Sequence, residues 1–297
     1  STSSISSSFS TSSISSSFST SSISSEDIST NSGPEESLFE QAETIKKNKI
    51  NKINLLLFFI GAVLMRSAGC VYNDIIDKKI DQKVNRTKTR PIASNKISII
   101  NAWILIIALC SISLVILLQF NLNTILFGLS SGLLIASYPF MKRITYWPQL
   151  FLGVVFNWGV ILSYLVFFEK INLEIILIYC SAILWTLGYD TIYGMQDIDD
   201  DLRIGVKSTA IKYHKKIKLF LTIVYASSFL ILIFANFLIL SVAKVGFILY
   251  LFPLSLLVFQ IHSINSKKSS QNLSLFKLNN YYGLSIFIIQ IVLFNHA

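Results

Sequence analysis

At 297 residues, with 53% hydrophobic residues, only 14% charged ones and a mean hydropathy of +0.61, the chain lies far outside the composition of water-soluble domains. The formal net charge of +9 is not a nucleic-acid footprint, because that reading needs a basic stripe on a soluble domain and the sequence offers none. The expected class is an all-α, polytopic membrane helix bundle.

The first 45 residues are a different material. The nine-residue unit Ser1–Phe9 recurs at Ser10–Phe18 and in part from Ser19. Such Ser-rich low complexity cannot bury a core, so residues 1–45 are expected to be disordered and residues 46–297 to form the transmembrane domain. The stretch lacks the basic start and apolar core of a secretory signal, and with no Lys or Arg before Lys46 it argues against organellar import.

Eight largely uncharged apolar segments follow, near Leu55–Tyr72, Ile99–Leu118, Leu122–Phe140, Gln149–Phe168, Leu173–Tyr193, Ile217–Ala235, Val245–Ile261 and Tyr281–Phe294. Their lengths suit spanning helices. The loops after the first, third, fifth and seventh carry seven, two, six and three Lys and Arg residues, whereas the loops between hold only Lys170 and Lys244. That alternation puts the first set of loops on the cytoplasmic side, and most of the positive charge is topogenic. Lys46, Lys47, Lys49 and Lys52 would then lie on the opposite side, against the bias. An abundance of Ile, Asn and Lys leans towards a bacterial cell inner membrane, with the mitochondrial inner membrane as the alternative. Cys70, Cys110 and Cys180 all fall within apolar segments and form no metal-binding or disulfide pattern; His214, His262 and His296 are scattered and are assigned no chemistry.

Two acidic clusters abut the ends of apolar segments, Asn73–Asp81 and Asp190–Asp201. Carboxylates beside hydrocarbon are costly, about 2.5–3.5 kcal/mol each at mid-bilayer on insertion scales, so their massing implies a cation or a protein-lined cavity. If helical character continues past Tyr72, Asn73, Asp77 and Asp81 lie at i, i+4 and i+8, one amide and two carboxylates on one face, with Asp74 turned about 100° away. Asp190, Tyr193, Asp197 and Asp201 form a second stripe at i, i+3, i+7 and i+11, which Asp199 and Asp200 leave. Facing oxygen ligands suit Mg²⁺, which combines a few carboxylates with phosphate oxygens and water. Without a cation, the carboxylates would repel one another and shift their pKa values upward. Arg86, Lys88 and Arg90 past the first cluster, and Arg203 and Lys207 past the second, could hold the remaining phosphate charge, although basic residues are ordinary in such loops. Tyr138, Phe156 and Trp158 are candidates for an aromatic wall, set against the commoner roles of packing and lipid contact.

The stretch Met65–Asp77 with Asp81, followed by Arg86–Ser94, resembles the first signature of the UbiA-type intramembrane prenyltransferases. Tyr189–Thr191, through Tyr193, Asp197 and Asp201 to Ile204–Ala210, resembles their second, and the likeness spans roughly residues 50–297. Its wording is most similar to the ubiquinone-pathway branch, whose members prenylate 4-hydroxybenzoate. The resemblance implies a helical bundle around a central cavity that opens sideways to lipid, with polyprenyl diphosphate and 4-hydroxybenzoate as substrates and Mg²⁺ as cofactor. It implies Asn73, Asp77, Asp81, Asp197 and Asp201 as metal ligands, and Asp74, Asp77, Asp190, Asp197, Arg90 and Lys207 as catalytic residues. Arg66, Arg86, Lys88 and Tyr193 would contact substrate. Ionisation of the allylic diphosphate and attack of the cation on the ring carbon ortho to the hydroxyl is the implied chemistry.

The family's usual bundle has nine spanning helices. The one ahead of the first motif, which helps to shape the aromatic-substrate pocket, has no counterpart among the eight expected here. Other branches of the superfamily, acting on haem or another aromatic acceptor, share the first motif, and an inactive relative lacking the first helix is a further alternative. A multi-pass transporter would place its acids near mid-helix or show an internal repeat, neither of which is seen.

Overall fold

The structure is a computed structural model that describes residues 34–168, 170–240, 248–265 and 269–295. The expected disordered stretch falls outside the described residues as far as residue 33; from Pro34 the chain is helical. By internal contacts residues 1–49 and 50–297 form separate units, and the second holds everything discussed below.

All regular structure among the described residues is helical. The helices are α1 (Pro34–Ile76), α2 (Lys78–Asp81), α3 (Ile99–Leu117), α4 (Leu122–Ile144), α5 (Pro148–Phe156), α6 (Trp158–Leu165), α7 (Leu173–Gly194), α8 (Ile198–Ile204), α9 (Thr209–Tyr213), α10 (Ile217–Leu240), α11 (Leu251–Ser263), α12 (Ser269–Lys277) and α13 (Asn279–Asn295). Polar caps set several starts: the side chains of Ser98, Asn121, Asn172 and Ser208 accept from the amides of Asn101, Thr124, Ile175 and Ile211 at the heads of α3, α4, α7 and α9. Pro148 opens α5, where its missing N–H costs nothing. Gly205, at φ +80°, closes α8 in the left-handed conformation that glycine adopts without penalty.

Six helical stretches among the described residues are long and apolar enough to cross a membrane: Lys52–Ile76, Ile99–Leu117, Leu122–Ile144, Pro148–Leu165, Leu173–Gly194 and Thr209–Ile239. They correspond to the first six expected spans, and the chain is an integral membrane protein. The seventh and eighth expected spans meet shorter helices, α11 of 13 residues and α13 of 17. The start of the seventh lies partly outside the described residues, and α11 runs past its expected end to Ser263, beyond which Asn272 Nδ2 donates to the carbonyl of Asn265 at 2.9 Å, clasping the turn between α11 and α12.

Helix α7 is the central post, packed against α5, α6, α9, α10 and α12. Small residues allow close approach: a Cβ on Gly153 of α5 would stand 2.8 Å from the carbonyl oxygen of Ile183 in α7. The main core lies between α7 and α10, where Leu187, Ile192, Leu221 and Tyr225 are almost fully buried.

The fourth span is broken between α5 and α6 at Asn157, whose amide donates to the carbonyls of Gly153 (2.9 Å) and Ala182 (3.2 Å) and to Thr186 Oγ1 (2.8 Å). One side chain thus ties the broken helix to α7. An Asn157→Ala substitution is expected to destabilise the bundle by about 1–2 kcal/mol, the scale of an interhelical hydrogen bond in a membrane. Equilibrium unfolding in mixed micelles reads the change; an unaltered or raised stability would show that the break needs no such tie.

Candidate functional site

Both acidic motifs sit where a spanning helix gives way to a short one. Asp77 (φ −92°, ψ 2°) separates α1 from α2, and Asp197 (φ −108°, ψ 6°) precedes α8 just beyond α7. The helix expected to run on past Tyr72 therefore pauses for one residue. Its hydrogen bonding barely changes: the Asp77 amide donates to Asn73 O at 2.9 Å and the Asp81 amide to Asp77 O at 2.8 Å. The i, i+4, i+8 stripe survives because those bonds preserve the helical register.

The two stripes meet across a cavity of about 200 Å³. Asn73, Asp77 and Asp81 line it from one side and Asp190, Tyr193, Asp197 and Asp201 from the other. Arg86, Arg90 and Lys207 line it too, as does Tyr138. Of the other expected residues, Asp74 holds Arg90 from behind at 2.8 Å. Arg66 lies with its guanidinium 4.8 Å from the Phe156 ring. Lys88 instead donates to Asn85 Oδ1 at 3.1 Å, and Arg203 pairs with Asp200 at 3.2 Å; neither lines the cavity. Trp158 is also elsewhere: it stacks on Phe127 at 4.5 Å and donates its indole N–H to the Phe127 carbonyl at 3.0 Å, a packing role.

Three of the cavity carboxylates, Asp77, Asp81 and Asp197, are matched by cations. Arg86 grips Asp197 with two bonds, Nε to Oδ1 at 3.0 Å and Nη2 to Oδ2 at 2.5 Å, while Nη1 donates to Tyr193 Oη at 2.6 Å. The bond to Asp197 holds the guanidinium's pKa above its ordinary value. Arg90 bridges Asp74 and Asp81, at 2.8 and 3.1 Å. Lys142 is ion-paired with Asp77 Oδ2. The loop after α2 thereby reaches the second motif: besides Arg86, the Asn85 amide donates to Asp200 Oδ2 at 3.2 Å.

Sequence reasoning missed Lys142, which it counted only as a topogenic charge. It missed Gln149 as well, a buried cavity-lining residue whose Oε1 accepts from the Thr209 amide at 3.0 Å and fixes the segment carrying Lys207 and Ser208. Lys207 itself donates to the carbonyl of Ile144 at 3.0 Å. The only linear signal for Lys142 was its place at the end of a span on the side of the motifs.

Two features bear on a metal. Asp77 Oδ1 is buried and accepts no hydrogen bond, with Arg143 Nη2 3.6 Å away. Burial pushes the Asp77 carboxyl above the usual carboxylate range, against the pull of Lys142. Burial, reinforced by the neighbouring charge of Asp197, pushes Asp201 up to about 7. Among the described residues no three His, Cys, Asp or Glu side chains converge on one point as a metal site of protein ligands alone would require.

A family model described as "UbiA prenyltransferase family" matches residues 45–281. The chain is 50% identical over 167 residues to a mitochondrial 4-hydroxybenzoate polyprenyltransferase of Drosophila pseudoobscura pseudoobscura, a match covering 56% of this chain and 42% of that one. It therefore spans less than half the length of that relative. It is 36% identical over 253 residues to a 4-hydroxybenzoate octaprenyltransferase of Haemophilus ducreyi, covering 85% and 89% of the two chains. Among solved structures, a UbiA homolog from Archaeoglobus fulgidus described as bound to GPP and Mg²⁺ shares the fold, with a TM-score of 0.58 at 15% identity over 81% of this chain and 87% of that one.

Proposed function

The chain belongs to the UbiA prenyltransferase family, and from that membership we propose that it transfers a polyprenyl group from its diphosphate to the ring carbon of 4-hydroxybenzoate ortho to the hydroxyl. The observation that carries this is the meeting of both acidic motifs with Arg86, Arg90, Lys142 and Lys207 around one cavity, an arrangement suited to a diphosphate. The names of the relatives at 50% and 36% identity supply the acceptor.

Asn73, Asp77 and Asp81 from one motif, and Asp197 and Asp201 from the other, are the residues that would hold Mg²⁺. They fit: all are hard oxygen donors, one Asp77 oxygen is buried without a hydrogen bond, and burial, with the charge of Asp197 beside it, raises the Asp201 pKa, which a cation would relieve. When bound, Mg²⁺ withdraws electron density from the diphosphate and makes it a better leaving group. Arg86, Arg90 and Lys142, which pair with carboxylates here, are the donors that would be available to phosphate oxygens were those carboxylates to hold Mg²⁺. Asp74 keeps Arg90 aimed, and Tyr193 keeps Arg86.

Ionisation breaks the allylic carbon–oxygen bond, and the ring carbon's π electrons form the new carbon–carbon bond. The ring then loses its proton, a role we assign to Asp190, which lines the cavity, is held by none of Arg86, Arg90 and Lys142, and unlike Asp201 is not among the residues that would hold Mg²⁺. Tyr138 offers an aromatic face to the transient cation. Arg66 lies seven residues before Asn73, on the same face of α1 and about 10 Å deeper along it. There its exposed guanidinium, in the electrostatic field of Asp190, is placed to take the acceptor's carboxylate. Arg66→Ala should raise the KM for 4-hydroxybenzoate about tenfold or more while changing kcat less, since hydrogen bonds to charged groups contribute about 1.5–3 kcal/mol. An unchanged KM in steady-state assays would remove Arg66 from the acceptor site.

We place the enzyme in a bacterial cell inner membrane with the motif loops on the cytoplasmic side, as the distribution of Lys and Arg supports. Membranes carrying the chain, supplied with a polyprenyl diphosphate and separately with 4-hydroxybenzoate, homogentisate or haem, test the assignment. A prenylated 4-hydroxybenzoate identified by mass is the expected product; prenylation of another acceptor in preference would move the chain to a different branch.

A further inference from the structure

No Asp or Glu follows Asp201 in the sequence, yet the same stretch carries ten Lys and Arg residues. At one corner they crowd together. His214, Lys215 and Lys216 form a single 3₁₀ turn between α9 and α10, and Lys218 lies in the first turn of α10. All four are exposed. They form one wall of a groove of about 420 Å³, which shares no residue with the catalytic cavity and whose other wall is Ile264 and Asn265 beyond α11. The walls are braced: Lys218 Nζ donates to the His262 carbonyl at 2.9 Å, and Asn272 holds the Asn265 carbonyl. Among the described residues neither Lys215 nor Lys216 has a carboxylate partner.

The depth of the groove identifies its occupant. It opens within the first turns of the Thr209–Ile239 span, and the end of a spanning helix is where headgroups are met. Lys212 rests there on the rings of Trp147 (4.6 Å) and Tyr213 (5.5 Å), an aromatic and cationic pairing typical of that boundary. Directly beneath, α10 turns Leu219 and Ile223 outward, one helical turn apart and both exposed. A phosphate at the groove would have an acyl chain lying along that track.

We propose that the α9–α10 corner binds the headgroup of an anionic glycerophospholipid, with Lys215 and Lys216 on its phosphate and its acyl chain along Leu219 and Ile223. A free phosphate or diphosphate would have no use for the apolar track. The site is independent of the prenyl-transfer reading, because none of its residues belongs to the catalytic cavity.

The test uses the full chain in nanodiscs of phosphatidylcholine alone or with phosphatidylglycerol, extracted gently and weighed by native mass spectrometry. The unaltered chain is expected to retain phosphatidylglycerol in preference to phosphatidylcholine. Lys215→Gln/Lys216→Gln should retain about tenfold less, the scale expected when two lysines no longer face an anionic lipid, and Lys215→Arg/Lys216→Arg should retain it. Equal thermal unfolding of all three in phosphatidylcholine establishes that the Gln pair is folded; if it is not, the Arg pair and the lipid preference of the unaltered chain decide. Equal retention by the Gln pair, retention of both lipids alike, or release of phosphatidylglycerol by millimolar inorganic phosphate would each overturn the proposal, the last by revealing a site for free anions.

Discussion

Asp77→Asn should leave a folded protein whose prenyl transfer is slower by about 10²–10³-fold, the loss seen when one preorganised charge-stabilising group is removed from a transition state. The substitution is isosteric, so the new amide oxygen can still accept from Lys142 and the end of α1 keeps its shape. What disappears is the negative charge on a side chain that is 1% exposed and has one oxygen without a hydrogen bond. Asp77→Ala is a harsher test, because it strands Lys142, whose side chain is only 23% exposed, opposite an apolar surface. Loss of one partner of a buried pair typically costs about 3–5 kcal/mol, and the partial exposure of Lys142 puts its case below that range. Comparing the two variants by single-turnover transfer and by thermal unfolding separates chemistry from stability. A fully active Asp77→Asn protein would remove this carboxylate from the catalytic set.

Much of this was legible in the sequence, for identifiable reasons. The stripe Asn73, Asp77, Asp81 follows from helical periodicity alone, and it persists because the i→i−4 bonds run through the pause at Asp77. The spans at Ile99, Leu122 and Leu173 begin where Ser98, Asn121 and Asn172 offer polar caps directly before apolar runs, a strictly local signal. Long-range partnerships left no such trace. Nothing near Lys142 announces a pair with Asp77, 65 residues distant. Lys88 and Arg86 look alike in a basic loop, yet Arg86 reaches Asp197 and Lys88 only Asn85. The break at Asn157 depends on Ala182 and Thr186 in another helix, so an apolar run containing one Asn read as a continuous span.

Gly188→Ala is expected to destabilise the bundle by about 1–3 kcal/mol, the usual cost of overpacking a core, and to reduce activity with it. A Cβ at position 188 would overlap Cε1 of Tyr225, far inside contact distance. Tyr225 cannot simply swing away: it is 1% exposed, and its hydroxyl donates to Gln260 Oε1 at 3.0 Å. The amide of Asn279 donates to the same oxygen at 3.1 Å, and Trp185 Nε1 donates to Asn279 Oδ1 at 2.9 Å. Relief must therefore come from shifting α7 against α10, and α7 ends in Asp190 and Tyr193 at the cavity. Trimming the ring in Gly188→Ala/Tyr225→Leu should recover part of the stability, a coupling that a double-mutant cycle of unfolding measures directly. Additive effects of the two substitutions, or a Gly188→Ala protein as stable as the unaltered chain, would show that the α7–α10 contact yields at this point.

The central claim is that the two acidic motifs act together on one diphosphate, and the most direct measurement is prenyl transfer by the membrane-embedded chain with 4-hydroxybenzoate and a polyprenyl diphosphate. It is run with and without Mg²⁺, and with Asp77→Asn and Asp197→Asn proteins of verified fold. The account predicts a prenylated 4-hydroxybenzoate whose formation requires Mg²⁺ and collapses in both variants, one from each motif. Product formed without Mg²⁺, or undiminished in either variant, would contradict it.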